Sequence, residues 1–536
     1  MLKRLIKLQT KILNLEDGGD ITMMYERIEE YQEKIKKLKG KNSFGRLGKT
    51  FKTSKNYYFY DTGTGKVAAI QEDMYIVLNA LFKNKKLTDL IDNPFSVETL
   101  CKIVEEVFYY IKKEKILMAK VPETFVNNAT IGIEQMLQNA MNSITLELTE
   151  KCNLRCKYCI YNPSHPSFRE FGKKDMSVDT AKRAIDFLKE HSSNEKSIRI
   201  GFYGGEPLIR YDLIKEVVLY SEEKFVDKEL TFSLTSNGCL LNQEMADFFV
   251  EHDINVVFSL DGPQEIHDEN RILVDGTGSF KLTIRGIEIL TTTYKKVGKI
   301  PNIGINIVTS PPDYGKKYMR IQEFLDSCEW FGEHVAVTCS TVDYGVAEEE
   351  YRLPQSDEEE SRRVQIYDPL DKWSKEYSSE NRKLFSEPTF VKGLLRIHRR
   401  TLTKEPVEDY WMNGCCVPGG RKAYITVDGN ILPCERVGTT PFLGNIWNGF
   451  DIEKIRKNYI EDYINNSIPK CRECWAVNLC SLCYMNLYDA DKIHPSYRNI
   501  ECIQERMHIE NDLIRYHTIL ETNPDYLDEL DSMNLI

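Results

Sequence analysis

Apolar and polar positions alternate in six short runs, SITLEL, SIRIGFY, LTFSLT, NVVFSL, NIGINIV and HVAVTC, between Ser143 and Cys339. Runs of this length, rich in β-branched and aromatic residues, predict strands. Between several of them apolar residues recur every three or four positions: Ala181, Ala184, Ile185 and Leu188, then Leu213, Val217 and Tyr220, then Met245, Phe248 and Phe249. That period predicts amphipathic helices. Repeated strand–helix units imply an α/β domain over residues 140–340 with a parallel sheet and right-handed crossovers. Six units make a partial (β/α)6 barrel of the TIM type, whose chemistry sits in loops at the C-terminal strand ends.

Ahead of this block the pattern changes. Residues 1–50 are charged and predict a helical leader, and the basic stretch from Lys34 to Lys55 predicts a solvated helix and linker. YYFYDTGTGKVAAI predicts two strands joined by Thr62-Gly63-Thr64-Gly65. Met74, Val77, Leu78 and Leu81 share one helical face; Val97, Leu100, Val104, Val107 and Ile111 share another, behind a Ser96 cap. A hairpin followed by helices over residues 51–125 has the make-up of a winged-helix module. Beyond the barrel, residues 341–410 begin acidic (AEEEYRLPQSDEEESRR) and predict a surface linker or insertion. Cysteine-dense residues 411–505 mark a further block, and 506–536 a C-terminal tail.

Composition narrows the function. A chain of 536 residues that is 41% hydrophobic and 29% charged can bury a large core. Its net charge of −11 argues against nucleic acid or an anionic membrane as main partner. No run of about 18 apolar residues predicts a membrane span. MLKRLIKLQTKIL lacks the apolar core of a signal peptide, which places the chain in the cytoplasm. Fifteen cysteines in that compartment point to metal or redox chemistry rather than disulfides.

The first predicted strand runs into LTEKCNLRCKYCIYN, with Cys152, Cys156 and Cys159 spaced Cys-x3-Cys-x2-Cys. Structural zinc sites present four ligands, whereas three leave a coordination position open for reaction. On spacing alone a structural zinc loop stays an open alternative. Strand two ends in Gly204-Gly205-Glu206-Pro207, where glycines permit close approach and Glu206 offers a carboxylate to a cation, or else forms a tight turn. Strand three ends in TSNG, with Asn237 placed to line a ribose-sized site. Strand four ends in SLDGPQEIHDENR, where Ser259 and Arg271 would clamp a carboxylate.

This ordered set resembles the radical S-adenosylmethionine (SAM) superfamily over roughly residues 143–340. The resemblance implies that Cys152, Cys156 and Cys159 hold a [4Fe–4S] cluster whose open iron chelates SAM, with Tyr158 inside the motif. Gly204, Gly205, Glu206 and Pro207 would line the cofactor, Glu206 taking the methionine ammonium, Ser259 and Arg271 the carboxylate, and Asn237 the ribose. One electron then cleaves SAM, and the 5′-deoxyadenosyl radical removes a hydrogen atom from substrate.

The second cysteine field contains a hairpin, YITV and ILPC around Asp428-Gly429, followed by CRECWAVNLCSLC and Cys502. Cys-x2-Cys pairs taken alone are more often zinc sites than iron–sulfur sites. After a radical SAM core they resemble the SPASM extension, which implies two auxiliary [4Fe–4S] clusters and three in all. Cys471, Cys474, Cys480 and Cys502 would hold the distal cluster; Cys434, Cys483 and Cys415 or Cys416 the proximal one. Adjacent residues aim their side chains apart, so Cys416 is expected as the ligand, with Cys415 joining through a distorted turn or leaving an iron open. Two of the family's features depart here: Cys480 and Cys483 are two residues apart rather than three, and a further upstream cysteine is not evident. Glu435, beside Cys434, matches a general base of sulfatase-maturating relatives, or else pairs with Arg436 or another cation.

Together these features resemble enzymes that mature ribosomally made peptides, with an N-terminal element like a peptide-recognition domain (RRE). The resemblance implies a leader peptide bound at strand Tyr57–Tyr60 or the neighbouring basic segment, a flavodoxin- or ferredoxin-type electron donor, and formation of a thioether to a cysteine of the precursor. C–C crosslinking, formylglycine formation and a non-catalytic zinc or peptide-binding scaffold remain the alternatives.

Overall fold

The computed structural model describes residues 18–127, 132–163, 169–310, 314–332, 334–342, 387–412, 414–436, 440–484, 487–489, 492–493 and 497–533. The acidic stretch after residue 342 and the first seventeen residues lie outside these. Helix α1 (Gly18–Lys37) leads into three antiparallel strands, β1 (Gly48–Lys52), β2 (Tyr57–Asp61) and β3 (Val67–Ile70), in the order β1-β2-β3. Helices α2 (Glu72–Phe82) and α3 (Val97–Glu114) follow. The Ser96 hydroxyl caps α3 by accepting the Thr99 N–H at 3.2 Å. Val77, Leu81, Leu100, Val104 and Val107 bury the apolar stripe read from the sequence, together with Ile28 and Ile35 of α1.

Two features differ from the sequence reading. The basic stretch is not a solvated linker: Phe44, Leu47 and Phe51 are buried, and β1 adds a third strand. Strand β2 consequently lies between β1 and β3 with both edges paired, so Tyr57–Tyr60 has no backbone edge to offer a peptide. Strands β1 and β3 are the two edges of this sheet; β1 lies against α12 (Tyr497–Thr522), through Lys49–Glu510 at 2.9 Å, while β3 is half-buried to exposed along its length. A cavity of about 570 Å³ lined by Lys39, Arg46 and Tyr410 borders this module, and no cysteine reaches it.

The core is an α/β domain. Strands β4 (Ser143–Thr149), β5 (Ser197–Gly204), β6 (Glu229–Ser236), β7 (Asn255–Ser259), β8 (Ile303–Thr309) and β9 (Ala336–Thr341) run parallel in chain order. Helices α4 (Val178–Glu190), α5 (Tyr211–Lys224), α6 (Gln243–Glu251), α7 (Gln264–Asn270), α8 (Phe280–Lys296) and α9 (Tyr314–Asp326) connect them. Ile144, Leu146 and Leu148, with Ile198, Ile200 and Phe202, pack outward against helix residues such as Ala184, Leu188 and Val217. The alternate positions Glu147 and Tyr203 face the other way.

The sheet does not stop at six strands. The hairpin β10 (Lys422–Ile425) and β11 (Asn430–Leu432) joins it, β10 pairing in parallel with β4. Strands β12 (Gly444–Asn445) and β13 (Gly449–Phe450) complete a ten-stranded sheet. Gly429, at φ +80°, takes the left-handed position the hairpin turn requires. The second cysteine field is therefore continuous with the barrel through backbone hydrogen bonds.

Residues 387–398 form helix α10 (Glu387–His398) rather than a surface linker: Phe390, Leu394 and Leu395 pack on Ile519, Tyr526 and Leu527. Helix α11 (Asp462–Cys471) ends on Cys471; helix α12 carries Cys502 and runs to Thr522, so the C-terminal segment is packed structure rather than a tail. No helix among the described residues is long and apolar enough to cross a membrane.

Candidate functional site

The loop after β4 is tied down along its length. The Arg155 N–H donates to the Ile272 carbonyl at 2.7 Å and the Lys157 N–H to the Asn270 carbonyl at 3.0 Å, fastening it to the segment after β7. The Cys159 N–H reaches the Cys156 carbonyl at 3.1 Å in a tight turn. Burial raises all three thiols, Cys156 to about 12, with Glu206 adding to the rise at Cys152 and Arg271 opposing it at Cys156. Each of Cys152 and Cys156 also feels its neighbouring thiols, so three protonated, soft donors crowd one half-buried place. Metal binding would displace their protons. Among the described residues no three His, Cys, Asp or Glu side chains converge on one ion-sized point.

Gly204 and Gly205 let two backbone segments approach closely. A Cβ on Gly204 would stand 2.4 Å from the Thr149 carbonyl oxygen, and one on Gly205 2.2 Å from that of Lys151. The Gly205 and Glu206 N–H groups donate to the same two carbonyls, at 2.8 and 2.9 Å, locking the end of β5 onto the cysteine loop. Pro207 opens the short turn that follows.

Glu206 is held by groups of the protein itself. It is 1% exposed, and its carboxylate accepts the Leu208 N–H at 3.0 Å, the Ser236 hydroxyl at 2.8 Å and the Asn237 N–H at 2.9 Å. Burial raises its pKa while those donors lower it, with a net rise. It satisfies strand-end groups that would otherwise be orphaned. Asn237 is engaged likewise: its Nδ2 donates to Asn153 Oδ1 at 2.9 Å and its Oδ1 accepts the Cys239 N–H at 3.0 Å. The side chain thereby tethers the cysteine loop to the end of β6.

Ser259 and Arg271 do have groups to offer. Both are nearly buried, at 8% and 6% exposure, and neither the Ser259 hydroxyl nor the Arg271 Nη groups hydrogen-bond to a described residue. The fork is aimed by Asp261, which the sequence reading passed over. Asp261 Oδ2 accepts Arg271 Nε at 2.9 Å and the Tyr158 hydroxyl, and Oδ1 accepts the Val308 N–H at 2.9 Å. Tyr158 thus acts on the Asp261–Arg271 pair. Buried His267 supports the same group: Nδ1 accepts the Asp261 N–H at 3.4 Å and Nε2 meets the Ser279 hydroxyl at 2.9 Å. Burial lowers its pKa to about 4.

On the opposite side lie further residues without a sequence signal. Glu147 on β4 accepts Arg169 Nε at 2.8 Å, and the Arg169 guanidinium lies 3.8 Å from the centre of the Tyr161 ring. Tyr203 of β5 and Tyr424 of β10 meet edge to face. Glu435 pairs with Lys422 at 2.7 Å. Burial pushes Glu435 up, but Lys422 outweighs it and holds the carboxyl below its usual value.

The second field gathers in two groups. Cys480 feels Cys474 and Cys471, and Cys474 feels Cys502. Cys415 and Cys434 both feel Cys483. Cys415 is half-buried and accepts the Tyr484 N–H, with the Tyr463 hydroxyl beside it, while the expected ligand Cys416 is exposed. Exposed Cys416 stands 2.6 Å from the Tyr484 hydroxyl. The turn gives the two adjacent side chains different exposure. Cys101, Cys239 and Cys339 are buried or half-buried thiols outside both groups.

Comparison with known proteins bears on this arrangement. A family profile described as the Radical SAM superfamily matches residues 146–325. The chain carries a radical SAM domain. A domain of this family implies SAM and a [4Fe–4S] cluster, and the three-thiol loop fits that demand. An uncharacterized protein of Methanocaldococcus jannaschii is 27% identical over 62% of this chain and 99% of its own length. The radical SAM cyclopropyl synthase TigE of Paramaledivibacter caminithermalis is 27% identical over 45% of this chain, which spans about half (52%) of TigE. A cysteine-type anaerobic sulfatase-maturating enzyme of Clostridium novyi is 26% identical over 62% of this chain and 84% of that enzyme. In fold the domain resembles anSMEcpe with bound AdoMet, at a TM-score of 0.52 and 19% identity, over 73% of this chain and 98% of that one.

Proposed function

We propose that this radical SAM enzyme modifies a ribosomally made, cysteine-containing precursor peptide, joining the cysteine sulfur to carbon as a thioether. The observation that carries the peptide reading is the unpaired edge of β3 on a module that shares a core with the second cysteine field. Phe51, Tyr58 and Tyr60 of that module pack with Ala476 and Leu479, and the Thr62 hydroxyl donates to the Trp475 carbonyl at 2.8 Å. An extended leader adding to β3 would be held as in an RRE-like domain. TigE and the sulfatase-maturating enzymes, whose names describe radical chemistry or protein maturation, support the same class.

When bound, SAM and the cluster at Cys152, Cys156 and Cys159 would supply a carbon radical able to take a hydrogen atom from substrate. Arg271, aimed by Asp261, and Ser259 would hold the SAM carboxylate. Glu206, Gly204, Gly205, Pro207 and Asn237 would fix the loops around it. Two auxiliary clusters, at Cys471, Cys474, Cys480 and Cys502 and at Cys415, Cys434 and Cys483, would accept the electron left when carbon binds sulfur. Balance requires one hydrogen atom from carbon, one proton from the thiol and one electron out. Glu435 stays ionised beside Lys422 and would accept a hydrogen bond from the approaching thiol. A flavodoxin- or ferredoxin-type protein would supply reducing electrons.

Formylglycine formation is the second reading, supported by the length of the match to the sulfatase-maturating enzyme. Incubation of anaerobic enzyme with SAM, reductant and a leader-bearing peptide separates the two. A peptide lighter by two hydrogens, with one thiol no longer alkylated, supports the thioether; an aldehyde that reacts with hydrazine supports the rival.

A further inference from the structure

The two groups of auxiliary thiols are joined by one short piece of chain, Cys480-Ser481-Leu482-Cys483, and this piece is gripped from both sides. On one side Glu505 of α12 accepts the Ser481 N–H at 2.7 Å and the Ser481 hydroxyl at 2.7 Å. Arg396 of α10 pairs with Glu505 at 3.1 Å and donates from Nη2 to the Ser481 hydroxyl at 3.0 Å. On the other side the turn carrying Cys415 presses in: a Cβ on Gly414 would stand 2.1 Å from the Ser481 carbonyl oxygen. The Tyr463 hydroxyl donates to the Leu482 carbonyl at 3.1 Å.

The grip is expensive to build. Glu505 is 7% exposed, and Asp512, Arg515 and His508 lie in the same buried layer between the helices. Gly393 lets α10 approach closely, since a Cβ there would meet Asp512 Oδ1 at 2.3 Å. Burying charges costs several kcal/mol per ion unless each is paired and bonded. Such a layer, placed behind one two-residue spacer, has a positional use. Outer groups that aim ligands and add charge near iron–sulfur sites also set their potentials.

We propose that Arg396 and Glu505 are positioning residues that fix the spacing of the two auxiliary clusters through Ser481 and hold down the potential of the distal one. A carboxylate beside Cys480 disfavours adding an electron there. The shortened Cys-x2-Cys spacing keeps the two sites close, and the clamp keeps that short bridge from flexing.

The inference rests on the reading that both groups hold clusters, which the iron content of the unaltered protein tests separately. Anaerobically reconstituted full-length protein should hold about twelve irons, three cubes' worth; iron for one cube alone overturns the inference together with that reading. With full iron, the decisive experiment is a redox titration followed by electron paramagnetic resonance on Glu505→Gln, Glu505→Ala and Ser481→Ala. Gln keeps an oxygen for the Ser481 N–H but removes the charge, so the distal potential should rise while the spin–spin broadening between auxiliary clusters persists. Ala removes both, so the potential should rise and the broadening change. Ser481→Ala should alter the broadening less than Glu505→Ala. Should Glu505→Ala fail to fold, the Gln variant still decides: a distal potential unchanged from the unaltered protein, at full iron content, contradicts the proposal. A lowered melting temperature with unchanged spectra in all three would reduce the clamp to a structural contact.

Discussion

Asp261 decides what Arg271 can do. With Nε held at 2.9 Å and the ring of Tyr158 beneath it, the guanidinium keeps its Nη groups for an incoming carboxylate. Arg271→Lys keeps the charge but loses the fork, and SAM affinity measured by calorimetry should fall about tenfold or more, the size of one charge-assisted hydrogen bond. Asp261→Asn leaves a buried guanidinium without its anion, and should cost about 3–5 kcal/mol in denaturant unfolding. His267 adds a pH dependence. Its folded pKa of about 4 lies below the ordinary value near 6.5, so the unfolded chain binds the extra proton between the two. Stability should therefore be full above about pH 6.5 and fall as pH drops towards 4, by roughly 3 kcal/mol from this residue. His267→Gln should flatten that part of the curve. Sequence alone picked out the strand ends that carry Glu206, Asn237, Ser259 and Arg271, but not the hydrogen bonds that Glu206 and Asn237 make within the protein. A motif gives residue types; it does not reveal which lone pairs the strand-end N–H groups have already taken.

At the scale of elements, strands β4 to β9 were legible because their periods are local. Strand β1 was not, since GKTFK is short and basic and is apolar only where it meets β2 and α12. The parallel pairing of β10 with β4 joins residues far apart in the chain, and no local pattern encodes such a partner. Edge geometry then yields a prediction. The Asp61 N–H donates to the Lys66 carbonyl, so the alternation of pairs turns the N–H groups of Val67 and Ala69 away from β2. Ala69→Pro removes an outward donor while sparing the ladder to β2. Leader-peptide affinity should fall at least tenfold, with iron content and peptide-independent cleavage of SAM unchanged. Equal loss in affinity and in iron would instead mark β3 as structural.

Across the whole molecule, the N-terminal module, the barrel and the second cysteine field share buried surfaces. Trp475, between two candidate ligands, meets the Tyr60 ring edge-on and lies beneath Lys49. Removing residues 18–125 would expose this face, and the truncated chain should lose about one cluster's iron, as read by iron and sulfide analysis. The central claim is that radical chemistry here is directed at a leader-bearing, cysteine-containing peptide. Its most direct measurement is mass spectrometry after anaerobic incubation of the full chain with SAM, reductant and such a peptide. The account predicts 5′-deoxyadenosine together with a peptide lighter by two hydrogens and short of one alkylatable thiol. Abundant 5′-deoxyadenosine with the peptide mass unchanged would contradict it.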